Sequence, residues 1–198
     1  AHPRLTVSGR LARDADPAEL SIREVNSGVY CFASEALCAV IDNLDQNNAQ
    51  HEYYLTDAVA AIRARGGLVN AYLAADGGEI AGVNDRVQLA AAGKALWARK
   101  NRELMLSGVT ILDPDTAYID AEVEIGRDTV IEPQVWIQGR TVIGGNCRIG
   151  PNVKMMDCLV GNYCDIGPFT YLRPGTELGD KVKAGHFVEI KKSRIGKG

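Results

Sequence analysis

Residues 119–155, IDAEVEIGRDTVIEPQVWIQGRTVIGGNCRIGPNVKM, place an apolar side chain at every sixth position: Ile119, Ile125, Ile131, Ile137, Ile143, Ile149 and Met155. After one five-residue step the phase resumes at Val160 and runs through Ile166, Leu172, Leu178, Ala184 and Ile190, with Ile195 beyond. Two residues before these positions lies a second row of small or β-branched side chains, among them Val123, Thr129, Val135, Thr141, Cys147, Val153, Cys164, Thr170, Thr176, Val182 and Val188. An ordinary sandwich, with its two-residue alternation, does not hold a six-residue phase through so many steps. The pattern reads as short strands joined by corners, each coil stacking on the next to bury an apolar column that no single repeat buries alone. Glycine often follows the apolar residue, as at Gly126, Gly144, Gly161, Gly179 and Gly185. A sharp backbone turn, where a Cβ would cost energy, is the expected reason.

Upstream the pattern changes. Val25–Phe32 has strand composition, Ser34–Leu44 reads as a helix with a serine N-cap, and Thr56–Arg65 as a helix ended by Gly66-Gly67. Leu68–Ala74 reads as another strand, making this part α/β. From Asp85 to Leu106 runs a long helical stretch with Leu89, Ala92 and Leu96 on one face. Ser107-Gly108 and Asp113-Pro114-Asp115 then punctuate the entry to the repeat. The expected organisation is an α/β region over 1–84, a connecting helix over 85–109 and the coiled repeat over 110–198.

Composition narrows the function classes. The 22 basic and 25 acidic residues of the 198 are interspersed, so no basic stripe exists to hold a nucleic-acid backbone. Neither a membrane-length apolar run nor a signal-like start is visible, which makes a cytoplasmic location the default expectation. Five cysteines without a C-x-x-C pair argue against a disulfide framework or structural zinc, and read as small buried hydrophobes. His2, His51 and His186 lack a carboxylate or cysteine partner at catalytic spacing and read as structural or solvated.

Three hexads complete one triangular coil, so residues eighteen apart with no slip between them lie above one another at about 4.8 Å. Arg173 and Lys191 are such a pair, each directly after an inward residue (Leu172, Ile190). Two cations stacked on one edge suggest a phosphate site, because an anion bridging them reverses the sign of their repulsion. By spacing alone, a pair of solvated surface charges remains the other reading.

The wording around that pair, GPFTYLRPG at 167–175 and FVEIKKSRIG at 187–196, resembles the acetyltransferase domain of the bacterial bifunctional enzyme family that makes UDP-N-acetylglucosamine. EVNSGVY at 24–30, NNAQHEYYLTD at 47–57 and GVNDR at 82–86 resemble the last third of the same family's uridylyltransferase domain, in family order. The resemblance implies a Rossmann-like α/β nucleotidyltransferase part, a connecting helix and a left-handed parallel β-helix of hexapeptide repeats, assembled as a homotrimer. It implies acetylation of glucosamine 1-phosphate by acetyl-CoA, then magnesium-dependent uridylyl transfer from UTP to N-acetylglucosamine 1-phosphate. No nucleic acid and no membrane enter either step.

Residue by residue, the resemblance implies that Asn26 holds the N-acetylglucosamine moiety, that Tyr54 and Thr56 line the sugar pocket, and that Asn84 is one magnesium ligand. Arg173 and Lys191 would grip the sugar phosphate. The plain structural readings stay open beside these: Asn26 in an Asn-Ser-Gly turn, Thr56 and Asn84 as helix N-caps. Counting back from Asn26 without gaps, Leu11 stands where the family has a sugar-binding glutamate. The family's phosphate loop, activating lysine and magnesium-binding aspartate would precede residue 1, and its base histidine would fall past Gly198. The chain therefore reads as an internal fragment, with no catalytic residue of its own and neither transfer expected from it alone. Two rival readings are a sugar-phosphate nucleotidyltransferase with a regulatory β-helix, and a non-catalytic module in which the repeat only trimerises.

Overall fold

The computed structural model describes Glu24 and residues 26–47 and 51–198. His2 and Leu11 lie outside the described residues. The chain forms two compact units, Ala1–Gly82 and Val83–Gly198.

In the first unit, helix α1 (Ser34–Ile41) and helix α2 (Leu55–Ala64) pack around buried Val40, Ala58 and Ile62, with Phe32, Leu37 and Leu44 against them. Neither helix is capped as its sequence suggests. Ser34 is the first helical residue and Ala33 stands at the N-cap; Tyr54 precedes α2, so Thr56 sits inside the first turn. The end of α2 does follow the glycine signal. Gly66 adopts φ +82° and Gly67 donates its N–H to Ile62 O at 3.0 Å, which closes the last turn. A short 3₁₀ turn, Gly77–Ile80, follows.

No strand occurs in this unit among the described residues, so the strands expected within 25–32 and over Leu68–Ala74 are not found. A strand exists through its ladder, and among the described residues no backbone pairs with these segments. Leu68 and Tyr72 are left 87% and 93% exposed. Cys31 and Cys38 are also exposed, against the expectation of buried thiols; on α1 the buried side chain is Val40.

The second unit opens with helix α3 (Arg86–Leu106). Asp85 caps it by accepting the Gln88 N–H at 2.7 Å, and Gln88 Oε1 in turn accepts the Asn84 N–H at 2.6 Å. The inward face is not the expected one. Leu89 and Leu96 are exposed, whereas Asn101 and Leu104 are buried and Trp97 is half-buried, a seam at spacings of four and three. Trp97 packs edge-on against Tyr118 and Trp136, which are themselves stacked with centroids 4.3 Å apart. Buried Asn101 donates to Pro114 O (2.9 Å) and Ala117 O (2.8 Å), pinning the first corner of the repeat to the helix.

Beyond α3 the chain coils through three parallel sheets of five short strands each. The first holds Thr110–Ile111, Val130–Ile131, Arg148–Ile149, Asp165–Ile166 and Lys183–Ala184. The second holds Tyr118–Ile119, Trp136–Gln138, Lys154–Met156, Tyr171–Leu172 and Glu189–Ile190, and the third holds Glu124–Ile125, Val142–Ile143, Leu159–Val160, Glu177–Leu178 and Arg194–Ile195. Successive strands in a sheet are eighteen residues apart, as in Ile119↔Ile137, and seventeen where the five-residue step intervenes, as in Met155↔Leu172. The opening rung is longer, with Ile111 paired to Ile131. Its strand lies before the sixfold phase begins, hidden by the Asp-Pro-Asp corner.

The sixfold apolar row and the row two residues before it form one continuous core up to the last coil, where Val188 is half-buried and Ile195, expected inward, is exposed. Its threonines are fully satisfied: Thr129, Thr141, Thr170 and Thr176 donate to the carbonyls of Gly144, Gln138, Gly185 and Ile190 at 2.7–3.0 Å. The corner glycines serve a different purpose from the one expected. Left-handed backbone at the corners is carried by other residues, including Asp128, Asn146, Tyr163 and Lys181. At Gly144 the constraint is proximity, since a Cβ there would lie 2.7 Å from the Gly161 carbonyl of the next coil.

Candidate functional site

The chain leaves the second sheet for the third at the corner after Leu172 and, one coil on, after Ile190. Leu172 and Ile190 are register partners, and Arg173 donates its N–H to Ile190 O at 2.9 Å. Arg173 and Lys191 are thus the next residues on adjacent rungs of one edge. Pro174 restricts the backbone of Arg173 to extended conformations, and Gly175, at φ +79°, turns the chain while donating its N–H to Asp157 O at 3.0 Å. On the next rung Ser193 Oγ donates to Lys191 O at 2.8 Å.

The side chains on this edge are unevenly paired. Arg173 Nη1 donates to Glu189 Oε1 at 2.8 Å, and its Cζ lies 5.9 Å from the centre of the Tyr171 ring. Lys154, the register partner of Tyr171 on the preceding coil, holds its Nζ 5.3 Å from the same ring. Among the described residues, Lys191 makes no side-chain hydrogen bond or ion pair. Lys154, Arg173 and Lys191 thus stand on three successive coils of this face, with Glu189 paired to Arg173. Two like charges about 5 Å apart in water repel by roughly 1 kcal/mol, a cost that a bridging phosphate converts to attraction.

In the first unit the structure joins two of the three expected sugar-site residues through one that the sequence reading passed over. Asn26 Nδ2 donates to Tyr30 Oη at 2.6 Å, and Tyr30 Oη shares a hydrogen bond of 2.9 Å with Thr56 Oγ1. Asn26 Oδ1 accepts the Gly28 N–H at 3.0 Å, the Asx turn that the Asn-Ser-Gly sequence supports, with Gly28 at φ +75°. Tyr54 is half-buried just before α2. The hollow beside it is lined by Ile41, Asp42, Leu44, Tyr53 and Leu55, and so by none of the expected residues.

Asn84 belongs to the second unit, immediately before the cap of α3, so Asp85 and not Asn84 is the N-cap. Magnesium takes a near-octahedral set of oxygens, usually with a carboxylate. No group of three histidine, cysteine or acidic residues able to hold a metal occurs among the described residues, and Asp85 is engaged as the helix cap. The described residues alone do not form a magnesium site.

Nothing in the coil interior is a poised nucleophile. Burial pushes the Cys158 thiol up to about 11 and raises that of Cys164. His186 is exposed and packs edge-on to Phe187, with centroids 5.8 Å apart. Among the described residues, no helix is long and apolar enough to cross a membrane.

The bifunctional protein GlmU of Carboxydothermus hydrogenoformans is 47% identical to this chain, over 94% of the chain and 45% of that protein. By sequence the chain is similar to the GlmU proteins over nearly all of its own length. The GlmU of Heliobacterium modesticaldum is 48% identical over 94% of the chain and 44% of its own length. The chain spans less than half the length of the GlmU proteins it matches. No protein-family model matches it. Among solved structures, PerB from Caulobacter crescentus, in complex with CoA and GDP-perosamine, matches at a TM-score of 0.37 and 16% identity, over 54% of this chain and 61% of that one.

Proposed function

We propose that the coiled unit supplies the sugar-phosphate clamp of a glucosamine-1-phosphate N-acetyltransferase, with Arg173 and Lys191 gripping the phosphate. The observation that carries this reading is their adjacency on one edge of the coil, within a chain that is similar to GlmU proteins over nearly its whole length. Acetyl-CoA, when bound, offers the acetyl group as a thioester. The amine of glucosamine 1-phosphate forms the new C–N bond as the C–S bond breaks, the thiol leaves and the amine loses a proton. The part of this chain in that step is positional, since a phosphate anchored by two cations fixes the sugar and with it the direction of the amine.

The first unit is proposed to belong to a uridylyltransferase acting on N-acetylglucosamine 1-phosphate and UTP. Asn26 and Thr56, tied through Tyr30, would meet the sugar together with Tyr54. Asn84, at the start of the second unit, would by the family resemblance give one neutral oxygen to a magnesium ion whose other ligands are phosphates and a carboxylate. The assembly is proposed to be a cytoplasmic homotrimer of left-handed β-helices.

The test is glucosamine 1-phosphate binding to the whole chain, read by ligand-observed NMR, before and after R173A/K191A. Loss of binding in the double variant supports the clamp. Equal binding by both chains overturns it and favours the reading in which the repeat only assembles.

A further inference from the structure

The hydrogen bonds that join Asn26 to Thr56 have a direction, and it is fixed from one end. Asn26 Oδ1 accepts the Gly28 N–H at 3.0 Å, so the other arm of the amide, the Nδ2 donor, is the one that meets Tyr30 Oη at 2.6 Å. A phenol oxygen that accepts from an amide turns its single hydrogen to its other neighbour, here Thr56 Oγ1 at 2.9 Å. Thr56 Oγ1 then accepts from Tyr30 and keeps its own hydrogen to give away. Among the described residues, neither that hydrogen nor the second one on Asn26 Nδ2 meets an acceptor. Asn26 and Thr56 are exposed, whereas Tyr30 between them is half-buried and stacked on Phe32, which packs against the core of the two helices. Bonds of 2.6 and 2.9 Å hold the two outer donors no more than about 5.5 Å apart, so one carbonyl oxygen can take a hydrogen bond of ordinary length from each.

We propose that Tyr30 is a specificity-determining residue of the sugar site. By accepting from Asn26 and donating to Thr56 it makes both present donors, which selects a sugar bearing an N-acetyl carbonyl over one bearing an amine. The proposal rests on the reading above that Asn26 and Thr56 meet the sugar, and deepens it. An amide carbonyl oxygen has two lone pairs and no hydrogen, whereas a protonated amine brings only hydrogens, and two donors facing it leave both sides without a partner. Leaving a polar group unpaired costs more than its bond would have contributed, so the penalty falls on the amino sugar. Tyr30 acts at one remove: it touches Asn26 and Thr56, and they touch the ligand. Without the phenol oxygen, Asn26 loses the acceptor that aims its amide and Thr56 regains the lone pair it now spends on Tyr30. The site can then accept as well as donate, and its preference weakens.

The test uses the whole chain carrying R173A/K191A, which takes binding at the coil out of the signal, and adds Y30F or N26A/T56A to that parent. Affinities for N-acetylglucosamine 1-phosphate and glucosamine 1-phosphate are read at neutral pH by ligand-observed NMR, and circular dichroism melting checks that each variant folds. The parent should bind the N-acetylated sugar more tightly than the amino sugar. Y30F should lower affinity for the N-acetylated sugar about five-fold and leave that for the amino sugar within about two-fold, so that the preference falls with it. A preference that Y30F leaves unchanged, while N26A/T56A loses binding, overturns the role of Tyr30 and leaves the sugar site standing. Equal weakening of both sugars by Y30F makes its part structural, and a parent that binds both sugars alike has no preference to explain; either result overturns the proposal. Binding by N26A/T56A equal to that of the parent, or no binding by the parent, removes the sugar-site reading and this inference together.

Discussion

Alanine at Gly144 and alanine at Gly185 should have opposite effects, although both glycines follow an inward residue of the same repeat. At Gly144 the added methyl would lie 2.7 Å from the carbonyl carbon and oxygen of Gly161 and from Asn162 Oδ1, where ordinary contact begins at 3.4 Å. The coils must part by roughly 0.7 Å at a point where Gly144 N–H meets Val160 O at 2.8 Å, which lengthens that ladder bond beyond its useful range. Overpacking of this kind costs about 1–3 kcal/mol and the weakened hydrogen bond about 1 more, so a loss of roughly 2–4 kcal/mol is expected for Gly144→Ala. Gly185 has nothing within 4 Å of the same position and no left-handed φ, so Gly185→Ala should be neutral or gain up to about 1 kcal/mol through a less flexible unfolded chain. The assay is urea unfolding followed by tryptophan emission, because both tryptophans, Trp97 and Trp136, belong to the coiled unit. A Gly144→Ala midpoint equal to wild type, or equal losses at the two positions, would refute the account of these glycines as contact points.

Two further outcomes can be checked with the same unfolding assay. Burial raises Cys158 from an ordinary thiol value of 9.0 to about 11, so its contribution to stability is complete below pH 9 and drains away as pH climbs through about 11. The difference in stability between wild type and Cys158→Val should therefore shrink by on the order of 2 kcal/mol between pH 8 and pH 11, and a flat difference would contradict the burial argument. Asn101→Ala should cost about 2–3 kcal/mol, since it strands the carbonyls of Pro114 and Ala117 that Asn101 Nδ2 now satisfies; a change under about 0.5 kcal/mol would contradict it.

The repeat was legible because it is self-consistent: once Ile119, Ile125 and Ile131 set the phase, every later rung tests it, and the five-residue step after Met155 shows as a single dislocation. The alignment of Arg173 and Lys191 follows from that phase and from the register of Leu172 with Ile190. The strand at Thr110–Ile111 escaped because its distance to the next strand, through Asp113-Pro114-Asp115, is not a hexad. The buried face of α3 escaped for another reason. Its seam contains Asn101, a polar residue buried by two carbonyls that arrive only when the corner folds. In the first unit, strand composition in Leu68–Ala74 reports how well those side chains suit a pleated surface, and among the described residues no backbone pairs with them. Tyr30 could have been found, since a tyrosine four residues after Asn26 carries a hydroxyl able to reach both Asn26 and Thr56.

The uneven length of the coils has a consequence for how this surface tolerates change. Pairing partners lie seventeen, eighteen or twenty residues apart, yet the sides match rung for rung, so all variation in length is absorbed at the vertices. Insertions and deletions at a vertex leave every outward-facing column in line, and only a change within a two-residue side would throw the columns out of step. The geometry of this surface is thus kept by rung number, and chain length is free to drift around it.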